Sequence, residues 1–230
     1  MITGANRGIG FEMTRQAAER GDDVIACCRA PLEASVLTAL AKTHSNVTVL
    51  GLDVRMERDV KAVAKGMTRP LDLLVCNAGV LIGRGGLTDP AQDSNAVEDA
   101  LMTNVGGVFF TARHFLAHIK AGADSRDEEG KICIISSQMG SSERSGSSAI
   151  MYRASKAAAT NLARSMAVEL AASHIAVGAY HPGWVQTDMG GSEAAVTPPD
   201  SAAGLLRRFD ALSMESTGIF EDYRGERLPF

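Results

Sequence analysis

The 230-residue sequence contains no apolar run approaching the ~20 residues that cross a bilayer, and its start lacks a basic segment followed by a hydrophobic one. A membrane span and a secretory leader are therefore not expected, and a cytoplasmic protein is. No block of Lys or Arg occurs, and 27 acidic residues outnumber 23 basic ones, so the electrostatic footprint of a nucleic-acid binder is missing. Cysteine is scarce. Cys27, Cys28, Cys76 and Cys133 all lie in short apolar runs, with no Cys-x-x-Cys pair and no Cys/His cluster. That excludes a disulfide framework or zinc site as the working expectation. His114 and His118 share a helix face without a Glu between them or a third ligand, so no metal is expected there either. Repeats, low-complexity tracts and Pro/Gly/Ser-rich linkers are also absent, which makes residues 1–230 one expected domain.

What is present is alternation. Short β-branched runs at 24–28, 47–52, 71–76, 131–136, 175–180 and 218–220 are separated by Ala-rich stretches of helical period at 9–20, 32–43, 57–67, 97–121, 151–172 and 199–212. Most of the runs are too apolar to face water on either side. The pattern predicts an α/β fold of Rossmann type: a doubly wound, mostly parallel sheet with helices on both faces. Only Met1 and Ile2 precede the first glycine-rich turn, so the first strand is expected to be shortened at its N-terminal side. Thr197 before Pro198, Pro199 and Asp200 reads as the N-cap of the last helix. The segment 189–192 is expected to be mobile.

That glycine-rich turn, Thr3-Gly4-Ala5-Asn6-Arg7-Gly8-Ile9-Gly10, follows a strand stub and opens an amphipathic helix. Glycines there permit a tight turn and let backbone N–H groups approach a pyrophosphate, which the helix N-terminus attracts. Its G-x-x-x-G-x-G spacing is not the Walker loop, which demands Gly-Lys-Ser/Thr. The second strand ends in Cys28-Arg29, with no acid to accept the ribose hydroxyls of NAD. Arg29 and Arg7 can instead pair with the extra phosphate of NADP, so NADP(H) is favoured over NAD(H).

Tyr152 and Lys156 lie four residues apart in an alanine-rich helical stretch and so share one face. An ammonium beside a phenol stabilises phenolate and is expected to lower the tyrosine pKa. Tyr-x-x-x-Lys alone is also a common exposed helix pair. A buried strand ending in Ser136-Ser137 changes that balance, because ligands of open α/β sheets bind at the carboxyl ends of strands. Ser137 can hydrogen-bond a carbonyl oxygen while Tyr152 exchanges its proton. A nucleophilic serine hydrolase is disfavoured, since Ser137 lacks the Gly-x-Ser-x-Gly elbow.

Taken in order, these motifs resemble the short-chain dehydrogenase/reductase family over nearly the whole chain. Residues 3–10 are similar to its cofactor loop, Asp53-Val54 to its adenine contact, Asn77-Ala78-Gly79 to its central-strand motif, and His181-Pro182-Gly183-Trp184-Val185-Gln186-Thr187 to its nicotinamide-side segment. The resemblance implies a catalytic tetrad of Asn104, Ser137, Tyr152 and Lys156, with Asn104 holding a helix kink. It implies cofactor contacts from Gly4, Asn6, Arg7, Gly8, Ile9, Gly10, Arg29, Asp53, Val54, Asn77, Ala78, Gly79, Tyr152, Lys156, Pro182, Gly183, Val185 and Thr187. It also implies a homodimer or homotetramer formed through the 97–121 and 151–172 helices. Within the family, the octapeptide loop, the Cys-Arg strand end and the closing Leu-Pro-Phe resemble the C-factor and sniffer-type carbonyl reductases. Ser137 and Tyr152 are fifteen positions apart, two more than the resemblance leads one to expect, through a longer Ser/Gly loop at 141–148. The expected activity is NADPH-dependent reduction of an aldehyde or ketone, reversible as alcohol oxidation. The alternative from another class is a dinucleotide-responsive signalling or scaffold protein with little turnover.

Overall fold

The computed structural model describes all residues, Met1–Phe230. Its strands are β1 (Ile2–Thr3), β2 (Val24–Cys28), β3 (Val47–Gly51), β4 (Leu73–Cys76), β5 (Gly130–Ile135), β6 (Ile175–His181) and β7 (Phe220–Asp222). They form one sheet of order β3-β2-β1-β4-β5-β6-β7 in which every pairing is parallel. The helices are α1 (Gly8–Glu19), α2 (Ser35–Thr43), α3 (Glu57–Gly66), α4 (Ser94–Leu101), α5 (Gly107–Arg126), α6 (Ile150–Leu170) and α7 (Pro198–Ala211).

The two-residue period of the strands divides the core between the faces. Ile25, Cys27, Ile132 and Ile134 point to one side, where they meet Val60 of α3, Phe115 and Ile119 of α5, and Ala159 and Ala163 of α6. Val24, Ala26, Cys28, Cys133 and Ile135 point to the other, against Met13 of α1, Leu37 of α2 and Phe209 of α7. Strands buried on both faces account for the unbroken apolar runs read in the sequence. All four cysteines are buried here, and burial pushes the Cys27 and Cys76 thiols up to about 12. They act as small core hydrophobes.

Three expectations about the elements need correction, and the 189–192 segment has a defined geometry. The 97–121 stretch is not one α-helix: α4 ends at Leu101, Met102–Gly106 forms a π turn, and α5 follows. The residue inserted into such a turn moves the helical phase, and Asn104 sits within it, wholly buried. The second helix starts late, because Pro31–Glu33 forms a separate 3-10 turn. The last strand is Phe220–Asp222 rather than 218–220, since Gly218 has φ +83, outside strand geometry. The 189–192 segment is a hydrogen-bonded turn: Gly190 N donates to Thr187 Oγ1 at 3.1 Å, Gly191 N to Thr187 O at 2.8 Å, and Trp184 Nε1 to Gly190 O at 2.8 Å.

β1 is two residues long, Ile2–Thr3. The Met1 ammonium donates to the Leu73 carbonyl at 2.8 Å, and burial pushes its pKa down to about 6. Thr197 caps α7 as expected, its hydroxyl accepting from Asp200 N at 3.3 Å. No helix is long and apolar enough to cross a membrane.

Candidate active site

The strand order reverses between β1 and β4, and the crevice beyond their carboxyl ends is where an open α/β sheet binds ligands. A cleft of about 840 Å³ lies there. The glycine loop forms one wall. Gly4 and Gly8 have φ of +65 and +54, the left-handed region that favours glycine, and a Cβ on Gly10 would collide with the Gly4 carbonyl oxygen and the Asn77 amide. Asn77 locks the wall in place: its Nδ2 donates to Thr3 O at 2.8 Å and Gly4 O at 3.2 Å. The Thr3 hydroxyl accepts from the backbone N–H of Asn77 and Ala78, each at 3.0 Å.

The start of α1 carries no side-chain cap on Arg7 and no acid in its first turn. Its leading amides, at Gly8, Ile9 and Gly10, therefore lie at the cleft without an internal side-chain acceptor, where an anion can accept from them. This is an observed fit for a pyrophosphate, and glycine-permitted close approach is the second part of it. Farther along the cleft are Arg29, Asp53 and Val54 at the ends of β2 and β3. Asp53 accepts from Arg55 Nη2 at 2.7 Å and from Arg55 N at 3.0 Å, and these contacts hold its carboxyl below the usual carboxylate range. Arg7 is engaged otherwise than expected. Rather than being aimed with Arg29, its guanidinium pairs with Asp188 at 2.7 Å, tying the glycine loop to the segment after β6.

The chemistry-bearing groups converge from three elements. Ser137 follows β5, Tyr152 and Lys156 stand on the first turns of α6, and Asn104 comes from the π turn; all four are buried. Lys156 Nζ donates to Ile135 O at 2.8 Å and lies 5.8 Å from the Tyr152 ring centre. A Cβ on Gly79 would lie 3.2 Å from Lys156 Nζ and 3.3 Å from Asn104 Oδ1, so both side chains close tightly on this glycine. Asn104 is itself fixed: Oδ1 accepts from Val80 N at 2.8 Å, and Nδ2 donates to Val80 O and Ser155 Oγ, each at 2.9 Å. The helix α6 is anchored to β5 by Ser136, whose hydroxyl donates to Lys156 O at 3.1 Å and lies 2.6 Å from the Thr160 hydroxyl.

The expected lowering of the tyrosine pKa is not met in this geometry. Burial pushes the Tyr152 hydroxyl above its ordinary value, while the Ser137 hydroxyl and the Arg84 guanidinium pull the other way. Burial also pushes Lys156 down to about 8, and its ammonium is spent on a backbone carbonyl. Desolvation outweighs the charge interaction that the four-residue spacing implies. Tyr152 is thus a neutral phenol, the form that donates a proton.

Of the expected cofactor contacts, Gly4, Asn6, Arg7, Gly8, Ile9, Gly10, Arg29, Asp53, Val54, Asn77, Ala78, Gly79, Tyr152, Lys156, Pro182 and Thr187 line the cleft. Gly183 and Val185 do not. A Cβ on Gly183 would press on Tyr223 and Val196 at 3.0 Å, and Val185 is buried and bridged to Val196. Ser137 and Asn104 are buried next to the lining residues Ser136 and Thr103. Met189 lines the cleft and Met139 does not. No group of His, Cys, Asp and Glu side chains could hold a metal ion; His114 bonds Glu57 at 2.9 Å and His118 bonds Met67 O at 2.9 Å. Sequence reasoning did not single out the Thr3 hydroxyl or Arg55. A hydroxyl residue immediately before the first glycine of the loop was the available signal for Thr3; for Arg55 there was none.

Residues 1–196 match the family model described as short chain dehydrogenase. The C-signal protein of Myxococcus xanthus is 36% identical over 166 residues, spanning 71% of this chain and 95% of that one. Among solved structures, the carbonyl reductase Sniffer of D. melanogaster superposes with TM-score 0.93 at 29% identity, covering 100% of this chain and 98% of that chain. An NADPH-bound carbonyl reductase from chicken fatty liver does so with TM-score 0.90 at 30% identity, covering 100% and 97%.

Proposed function

The chain belongs to the short-chain dehydrogenase family, and on that premise we propose that it is an NADP(H)-dependent oxidoreductase reducing an aldehyde or ketone to an alcohol. The observation that carries this reading is the convergence of Ser137, Tyr152 and Lys156 beside a cleft headed by an uncapped helix N-terminus. The first turn of α1 with Gly4, Asn6, Gly8, Ile9 and Gly10 would hold the pyrophosphate, Asp53 and Val54 the adenine, and Asn77, Ala78, Gly79, Pro182 and Thr187 the remainder. Arg29, with no acid at the end of β2, would take the extra phosphate; the NADPH-bound relative supports this choice. When bound, NADPH supplies hydride to the carbonyl carbon.

The protein's own part is to bind the carbonyl and move one proton. The Ser137 hydroxyl holds the carbonyl oxygen, and the neutral Tyr152 phenol donates its proton to that oxygen as negative charge builds there. With its pKa near 8, Lys156 is mostly an ammonium at neutral pH and stabilises the phenolate left behind. Asn104 is a positioning residue, holding the π turn against Val80 and Ser155. Assembly of like subunits through α5 and α6 is part of the proposal, supported by apolar side chains left open there: Phe109 is 41% exposed and Val168 82%.

The test is NADPH oxidation with a panel of carbonyl compounds, read beside cofactor binding. Tyr152→Phe is expected to lower kcat on the order of 10²- to 10⁴-fold while NADPH still binds. If the wild-type protein binds NADPH and turns over no carbonyl, the enzymatic reading fails and the dinucleotide-responsive scaffold takes its place.

A further inference from the structure

The loop between β4 and α4 gives Asn77, Ala78, Gly79 and Val80 to the cleft lining, and farther along it carries one guanidinium, that of Arg84, tied to the cleft at Met189. The Arg84 carbonyl accepts from the backbone N–H of Ala149, the N-cap of α6, at 3.1 Å, which fixes the Arg84 backbone three residues from Tyr152. At its other end the Arg84 Nη2 donates to the Met189 carbonyl, and Met189 lines the cleft. The side chain therefore spans from the catalytic helix to the segment after β6. Arg84 is exposed and forms no ion pair with any carboxylate. The acid next along its own loop and the acid beside Met189 are already committed: Asp89 accepts from Gly85 N at 2.7 Å and Ala91 N at 2.9 Å, and Asp188 is held by Arg7 at 2.7 Å. Its charge reaches the reacting group, because the Arg84 guanidinium pulls the Tyr152 hydroxyl downward.

In the segment between β5 and α6, Arg144 donates to Gln138 Oε1 at 2.7 Å, and Arg153 of α6 donates to the Ser148 and Arg144 carbonyls, each at 2.9 Å. None of these three arginines pairs with a carboxylate, a condition they share with Arg29 in the cleft. Four of the five N–H donors of Arg84 make no hydrogen bond within the chain.

We propose that Arg84 is a substrate-specificity residue, and that the carbonyl compound reduced here carries a carboxylate, which the Arg84 guanidinium engages while the carbonyl sits at Ser137 and Tyr152. This rests on the reductase reading above and names its substrate class. A planar guanidinium with free donors recognises a carboxylate through paired, charge-assisted hydrogen bonds. A neutral analogue leaves those donors to water and gains nothing from them.

The probe is a matched pair, 4-carboxybenzaldehyde and its methyl ester. The wild-type enzyme is expected to favour the acid over the ester in kcat/KM by on the order of tenfold or more, mainly through KM. Arg84→Met, which keeps length and loses charge, should bring that ratio near one, and Arg84→Lys should restore part of it. Equal kcat/KM for acid and ester in the wild type, or an unchanged ratio in Arg84→Met, overturns the proposal while leaving the reductase reading intact.

Equilibrium binding of 4-(hydroxymethyl)benzoate and its methyl ester to the NADP-loaded protein supplies a readout independent of turnover. The acid is expected to bind on the order of tenfold more tightly than the ester, with the difference lost in Arg84→Met. Absence of that difference in the wild type overturns the proposal even if no aldehyde is reduced.

Discussion

The two halves of the cleft are built by different means. On the cofactor side, Thr3, Gly4, Gly10 and Asn77 are joined through backbone atoms and close approach, with no room for a Cβ at Gly10. On the substrate side, loops are tied by long side chains reaching to carbonyls: Arg84 to Met189, Arg153 to Ser148 and Arg144, Trp184 to Gly190. The first construction tolerates no change of residue type, because its constraint is steric. The second exchanges one side chain for another at small cost, which suits a wall that must fit a particular substrate.

The sharpest way to break this comparison is Gly10→Ala. The added methyl collides with the Gly4 carbonyl and the Asn77 amide, so a loss of about 3 kcal/mol in unfolding free energy and a weakened NADPH complex are expected. Denaturant unfolding and cofactor titration check both. An unperturbed variant would show that the cofactor wall yields as freely as the substrate wall.

A second expectation concerns His181 at the end of β6, whose Nδ1 is buried without a partner. Burial holds its pKa down at about 4 from an ordinary 6.5, with Asp222 pulling up and Arg144 and Arg224 pushing down. The folded state therefore binds fewer protons than the unfolded one, and stability falls as pH drops from 6.5 towards about 4. His181→Asn should flatten that slope in unfolding curves measured across the window. Equal slopes in the two proteins would remove His181 from the acid sensitivity.

The smallest effect is expected at Arg29. Replacing it as Arg29→Asp supplies the acid that ribose hydroxyls accept and removes a cation from the phosphate side. NADPH affinity should fall and NADH affinity rise, by about 1 kcal/mol each, as read by parallel titrations. No change in the ratio would place the discrimination at another residue of the cleft.

The same division explains what was legible in the sequence. The glycine loop, Asn77 and the Tyr152/Lys156 pair are local patterns whose spacing carries their geometry, and the structure brings all of them to one cleft. The break between α4 and α5 was not legible, because residues 97–121 keep a helical period while a π turn shifts its phase at Asn104. Gly183 and Val185 belong to a motif that reaches the cleft, and their side-chain positions face Tyr223 and Val196; a motif string does not say which side faces inward. The direction of the Tyr152 shift was likewise missed, since four-residue spacing reports proximity but not burial. Arg84 lay in a loop whose composition carried no chemical signal, and only its span from Ala149 to Met189 gives it meaning.

The hydroxyl contacts between Ser136, Thr160 and the Lys156 carbonyl fasten α6 to β5 at one fixed register. Because both ends of the intervening segment are pinned, the chain between Ser137 and Tyr152 is free to grow or shrink without disturbing where the proton is handed over. The Ser/Gly stretch at 141–148 lies within that segment, so the rim of the pocket can be remodelled there while its floor stays the same.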